Sequence, residues 1–132
     1  MNVPLLAAGC LGVLAAAIHG LAGELLVVRQ LSPRVLPASR FGGPRATKAM
    51  LHVTWHIATL AFLTAGCALL VSASVLADDA AHAIGVVAAV TFTSFAVLGI
   101  GLGAAYSPRS LIAHPGPAIF VATAALAWWG AL

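Results

Sequence analysis

Four long apolar stretches make up most of this chain of 132 residues. They cover residues 3–28, 50–76, 81–105 and 111–132, and each exceeds the roughly 20 residues that a helix needs to cross the hydrocarbon core of a bilayer. Only 7% of the residues are charged, whereas a soluble domain uses about a quarter of its residues for charge. The sequence therefore predicts an integral membrane protein and excludes a soluble monomer.

The pattern within these stretches is helical. None of them alternates apolar and polar residues as the strands of a membrane β-barrel do. The first connection, residues 31–45, contains five residues that break helices: Pro33, Pro37, Gly42, Gly43 and Pro44. We expect an all-α fold in which residues 1–132 form a single domain, a bundle of four transmembrane helices.

The basic residues predict the orientation of the bundle, because Lys and Arg are concentrated in cytoplasmic connections. Arg109 lies in the third connection, and the others lie in or beside the loop 29–48: Arg29, Arg34, Arg40, Arg45 and Lys48. The second connection contains Asp78 and Asp79 and has no basic residue. We therefore expect the first and third connections in the cytoplasm and both termini on the other side. The basic loop also favours contact with anionic lipid headgroups, whereas six basic residues are too few for a nucleic-acid surface.

The first stretch contains two ionisable residues. At 1.5 Å per residue, Glu24 lies about 7 Å and His19 about 15 Å inside the edge marked by Arg29. An ionisable side chain in the hydrocarbon costs roughly 2.5–3.5 kcal/mol unless it faces protein or water. We therefore expect both side chains to face the interior of the bundle, although a regular α-helix places them about 140° apart.

Three more histidines share this half of the membrane. His52 and His56 lie about 6 and 12 Å inside the second stretch, and His114 lies about 7 Å inside the fourth. His52 and His56 are four residues apart, so they share one face of their helix, and Thr59 extends this polar stripe. His82 lies at the opposite surface.

On the first helix, small residues at a spacing of four favour close packing against another helix, in a ridge of Ala8, Gly12, Ala16, Gly20 and Glu24.

Three short strings occur around these residues: His19-Gly20-Leu21-Ala22-Gly23-Glu24, Trp55-His56 and His114-Pro115-Gly116-Pro117. They resemble the corresponding strings of a group of small four-helix bacterial integral membrane proteins without an established activity. The resemblance implies a location in the bacterial cytoplasmic (inner) membrane. It also implies one site formed by the ionisable residues of these strings, namely His19, Glu24, His56 and His114. His52 lies outside this pattern.

A transition-metal site is the first interpretation of the cluster. Imidazole and carboxylate groups from different helices of a bundle are typical ligands of Zn, Cu, Fe or Ni. The candidate ligands are His19, Glu24, His52, His56 and His114. His52 and His56 have the spacing of the two histidines in zinc proteases, but the Glu that follows the first histidine there is missing. No catalytic residue is therefore assigned.

Haem binding is the second interpretation. His19 and His56 lie on different helices at similar depth, as the two axial ligands of a b-type haem do. Gly20 and Gly23 leave space beside His19 into which a porphyrin could fit.

Two further interpretations stay open. Glu24 could carry protons in a small proton-coupled transporter. Alternatively, Glu24 pairs with an arginine or a protonated histidine, and the chain is a structural subunit or scaffold of a larger membrane complex, or a homo-oligomer, without chemistry of its own.

Cys10 and Cys67 are predicted at equal depth, which makes them candidates for a disulfide or a thiol pair.

Overall fold

The computed structural model describes residues 1–76 and 78–132, and within these ranges every regular element is helical. Helix α1 continues without a break into two π-helical segments, and a short 3₁₀ turn lies in the first connection. The elements are α1 (Val3–Ala17), its π-helical segments (Ile18–Ala22 and Glu24–Val28), the 3₁₀ turn (Pro33–Val35), α2 (Pro44–Ser74), α3 (Asp78–Tyr106), α4 (Ser110–Ala113) and α5 (Gly116–Ala131). The all-α prediction is confirmed.

The first connection is irregular, as its composition predicts. Residues Ser39 and Gly42 form a tight turn with two backbone hydrogen bonds, and Gly42 has a φ of 150°, which residues with a Cβ rarely adopt. Helix α2 begins directly afterwards at Pro44, whose missing N–H is not needed in the first turn of a helix. The second connection falls partly outside the described residues, since Ala77 and the side chain of Asp78 are not described.

The helices form a ring in which α1 packs on α2 and α5, and α3 packs on α5 and α2. The centre of the ring is filled by small side chains around a few large ones, including Leu5, Leu69 and Phe92. Helices α1 and α2 approach so closely that a Cβ on Gly66 would lie 2.8 Å from the backbone nitrogen of Val13. Small residues permit such an approach, and three members of the predicted ridge are buried: Ala8, Gly12 and Ala16.

Three helices are long and apolar enough to cross a membrane, which indicates an integral membrane protein: Val3–Val28, Pro44–Ser74 and Asp79–Tyr106. The predicted fourth span, 111–132, is interrupted. Helix α4 ends before His114, and α5 has only 16 residues, or about 24 Å at 1.5 Å per residue. Pro115 and Pro117 explain the break, because proline has no N–H to donate and its ring disfavours the α conformation at the preceding residue.

The π-helical part of α1 changes which residues share a face. Its hydrogen bonds run from residue i+5 to residue i, as in the bonds from Gly23 N–H to the Ile18 carbonyl and from Arg29 N–H to the Glu24 carbonyl. A wider turn brings residues five apart closer to one side of the helix. His19 and Glu24 both contact α2 for this reason, although a regular α-helix would separate them by about 140°.

Candidate metal centre

Glu24, His52 and His56 bring three potential ligand atoms together where the π-helical part of α1 meets α2. Oε2 of Glu24 lies 3.1 Å from Nε2 of His52 and 3.3 Å from Nε2 of His56. All three ligand atoms lie within 4.8 Å of one another. The two imidazoles stand on one face of α2 because they are four residues apart, and their ring centroids are separated by 5.0 Å. Ligands from two helices thus converge on one point.

The spacing of these atoms is close to that of a coordination shell. Metal–ligand bonds of about 2.0–2.2 Å place two ligands of a tetrahedral zinc site roughly 3.3–3.6 Å apart. Among the described residues, no donor makes a hydrogen bond of normal geometry to the shielded Oε2 of Glu24. The two histidine nitrogens are therefore close to this oxygen without being aligned as N–H···O bonds.

The second oxygen of Glu24 has a different partner. Oε1 lies 3.3 Å from Nε of Arg29, one turn further along the same helix. This contact orients the carboxylate so that Oε2 is directed at the histidines, as residues behind a metal ligand commonly do. The Glu24 side chain is only 17% exposed, whereas His52 and His56 are 44% and 43% exposed, so the open side of the site is the histidine side.

His19 lies beside this cluster and has different contact partners. Its Nδ1 is 2.9 Å from Oγ1 of Thr59, and its ring stacks on Trp55 with a centroid distance of 4.3 Å. The indole N–H of Trp55 donates to the backbone carbonyl of His19 over 2.9 Å. Phe62 closes the far side of the ring with an edge contact at 5.0 Å. The His19 imidazole is therefore held by packing and hydrogen bonds on α2.

His114 lies in the turn between α4 and α5. Its Nδ1 accepts a hydrogen bond of 3.0 Å from the backbone N–H of Gly116. His19 and His114 both line a cavity of about 260 Å³ between α1, α2 and α5. The rest of the lining is mostly apolar and includes Ile18, Gly23, Leu26, Trp55, Ile119 and Phe120.

The five candidate ligands thus divide into two groups. The structure brings Glu24, His52 and His56 together, and it places His19 and His114 at the adjoining cavity. His52 lies outside the strings that carry the resemblance, yet it is the histidine nearest to Glu24. The signal that identifies it in the sequence is its spacing of four from His56. Of the expected pairings of Glu24, the contact with an arginine is present, and two histidines lie near its other oxygen.

The structure gives no support to a haem between His19 and His56. Their imidazoles have separate partners, Thr59 and Trp55 for the first and Glu24 for the second. The expected porphyrin space beside Gly20 is filled, because a Cβ at this position would lie 2.8 Å from Cγ2 of Thr59. Small residues here serve the packing of α1 on α2.

The predicted thiol pair does not form a disulfide in this structure. Cys10 on α1 and Cys67 on α2 are both free and exposed. His82, expected at the end of the bundle opposite to the cluster, donates from Nδ1 to the backbone carbonyl of Ala131 at the end of α5, over 2.6 Å.

No protein-family model matches the chain, and no curated protein or solved structure shows significant similarity to it.

Proposed function

We propose that this protein binds one divalent transition-metal ion within the membrane through Oε2 of Glu24 and the Nε2 atoms of His52 and His56. The convergence of these three atoms within 4.8 Å is the observation that carries the proposal. The shielded carboxylate oxygen supports it, since a buried acceptor without an aligned donor is costly. A cation between the three groups would use the lone pairs of all of them.

The donor set favours particular metals. Two imidazoles and one carboxylate suit Zn²⁺, Fe²⁺, Ni²⁺ and Cu²⁺, whereas Mg²⁺ and Ca²⁺ prefer oxygen ligands. Three protein ligands leave at least one coordination position open, which is typical of sites that exchange a water or a substrate rather than of closed structural sites. In this proposal the open position lies on the histidine side of the centre, where His52 and His56 are partly exposed.

The competing interpretation is an ion pair without chemistry. A protonated histidine at 3.1 or 3.3 Å from a carboxylate also forms a favourable contact, and Arg29 already pairs with the other oxygen. In a scaffold protein these ion pairs would only stabilise the packing of α1 on α2. In a proton-coupled transporter the carboxylate of Glu24 would bind and release protons. These alternatives predict no stoichiometric metal, which makes metal content the decisive measurement.

The test uses the full chain purified in lipid nanodiscs. The protein is depleted of metal, titrated with Zn²⁺ or Cu²⁺ and assayed for bound ion by elemental analysis. We expect one ion per chain and, with Cu²⁺, an electron paramagnetic resonance spectrum with hyperfine coupling to two nitrogens. Glu24→Gln should lower the affinity at least 100-fold, because loss of a direct ligand exceeds the roughly 10–100-fold effect of groups behind the ligands. His52→Gln should leave coupling to one nitrogen.

His82→Gln is the matched control, since it removes an imidazole at the opposite end of the bundle, and its metal content should equal that of the unmodified chain. An unmodified protein that binds no ion, or a Cu²⁺ spectrum unchanged by His52→Gln, would refute this site. A Soret band in the absorption spectrum of the purified protein would instead favour haem.

A further inference from the structure

The cavity beside the metal centre contains polar atoms that the proposed metal site does not use. It has a volume of about 260 Å³ and lies between α1, α2 and α5. Its walls are mostly carbon, with the stacked Trp55 on one side and Phe120 on another. The imidazoles of His19 and His114 are the ionisable groups among its lining residues. Their hydrogen bonds determine what each ring presents to a ligand.

The hydrogen bonds of Thr59 assign the proton on His19. The hydroxyl of Thr59 has one hydrogen, which it donates to the backbone carbonyl of Trp55, four residues earlier, over 3.2 Å. With this hydrogen directed at the carbonyl, Oγ1 of Thr59 accepts the 2.9 Å bond from Nδ1–H of His19. A neutral imidazole protonated at Nδ1 has its lone pair at Nε2. His19 thus offers an acceptor, which no described residue engages with a hydrogen bond.

The turn before α5 assigns the opposite tautomer to His114. Nδ1 of His114 accepts the backbone N–H of Gly116, so in the neutral ring the proton is on Nε2. His114 thus offers a donor, and no hydrogen bond to Nε2 occurs among the described residues. The two histidines that line the cavity are complementary, one acceptor and one donor.

We propose that this cavity binds a small neutral ring compound with one hydroxyl group, of the phenol class. A hydroxyl is the smallest group that donates and accepts at once, so its chemistry matches the acceptor of His19 and the donor of His114. The apolar walls and the indole of Trp55 suit an aromatic ring. An apolar cavity of about 150 Å³ binds benzene. The volume here therefore suits one ring with a short alkyl chain.

The proposal goes beyond metal binding and does not depend on it. The metal ligands are Glu24, His52 and His56, and none of them lines the cavity.

The test compares 4-propylphenol with 4-propyltoluene, which has a methyl group in place of the hydroxyl. Each compound is dialysed to equilibrium against the protein in nanodiscs, and protein-free nanodiscs of the same lipid correct for partition into the bilayer. We expect saturable retention of the phenol and several-fold weaker retention of the toluene. His114→Phe should weaken phenol retention by about 2- to 10-fold, the effect of one hydrogen bond, and leave toluene retention unchanged. The control His82→Gln should leave the retention of both compounds unchanged.

Nitrogen-15 spectra of histidine-labelled protein provide a second readout. They should show His19 protonated at Nδ1 and His114 at Nε2, and the phenol should shift the Nε2 signals of both. Equal retention of the two compounds by the unmodified protein would overturn the proposal, and so would the reverse pair of tautomers. Glu24→Gln separates the two sites: it should abolish metal binding and spare phenol retention. Loss of both would place the ligand at the metal centre and overturn the assignment to the cavity.

Discussion

Glu24 divides its two carboxylate oxygens between different partners. Oε1 contacts the exposed Arg29, and Oε2 contacts two histidines of α2. A carboxylate held from both sides in this way has little freedom to rotate, which is the condition for a preorganised ligand. Trp55 has a comparable role for the neighbouring site, since it stacks on His19 and also binds its carbonyl. Side chains of α2 thus contact a residue of α1 at each of the two candidate sites.

Gly23 provides a test at this scale. A Cβ at this position would lie 2.8 Å from Cε2 of Trp55, so Gly23→Ala should push the indole away from His19. We expect a loss of about 1–3 kcal/mol in the free energy of unfolding, as for other overpacked sites, together with a change in the Trp55 emission spectrum. Trp55→Phe provides the reference spectrum that isolates its emission.

Gly99→Ala is the matched control for this substitution. A Cβ on Gly99 of α3 would meet nothing within 4 Å, so the exchange should be neutral or stabilise α3 by up to about 1 kcal/mol. Equal stability of the two variants, measured by reversible unfolding in mild detergent, would contradict the packing described for Gly23.

Among the elements, the π-helical part of α1 has the clearest functional consequence. Two residues five apart, His19 and Glu24, contact the same helix because the hydrogen bonds there span five residues. π-Helical turns are rare and occur frequently at functional sites. The break between α4 and α5 acts similarly for the cavity, since it places His114 in a turn whose backbone sets its tautomer.

The length of the π-helical segment leads to a prediction. Deleting Leu21, whose side chain is 71% exposed, leaves His19 and Glu24 four residues apart, a spacing that a regular α-helix also places on one face. We expect this deletion to retain metal binding. Inserting one alanine after Leu21 should abolish metal binding. His19 holds its part of α1 against α2, and a spacing of six residues turns Glu24 to a different face of α1 in either type of helix. Both variants should keep the helical circular dichroism of the unmodified chain. Loss of binding in the deletion and retention in the insertion would refute the role given to the π-helix.

The whole molecule has two ends with different polar contacts. At one end, the candidate metal centre lies near the basic loop, since Arg29 contacts Glu24. At the other, Asn2 caps α1 by accepting from Leu5 N–H and donates over 2.7 Å to the carbonyl of Gly130. Its backbone N–H also donates to the Ala73 carbonyl at the end of α2. Both termini therefore lie at the same end of the bundle, opposite to the candidate sites.

The orientation in the membrane is a prediction for the whole molecule. The basic residues of loop 29–48 favour the cytoplasm, so both termini should lie outside. In a bacterial host, alkaline phosphatase fused after Leu132 should be active, because this enzyme folds only in an oxidising compartment. The matched fusion after Ala38, within the basic loop, should be inactive. The reverse pattern would place the metal centre near the outer surface.

The amino-acid sequence was sufficient to predict the membrane class, the helical fold and the half of the bundle that contains the polar cluster. These properties follow from composition, from the length of apolar stretches and from charge placement, which are local quantities. The i, i+4 spacing also predicted that His52 and His56 share a face.

The division of the cluster into two groups of residues could not be predicted from the sequence. A constant rise and turn per residue cannot reveal the π-helical segment that brings His19 and Glu24 to one face, or the break at His114 that shortens the last helix. Which residues join the candidate metal centre depends on distances between side chains of different helices. Near the site, α1 and α2 pack closely where Gly20 meets Thr59 and Gly23 meets Trp55. Packing between helices therefore separated one predicted site into a candidate metal centre and a neighbouring cavity.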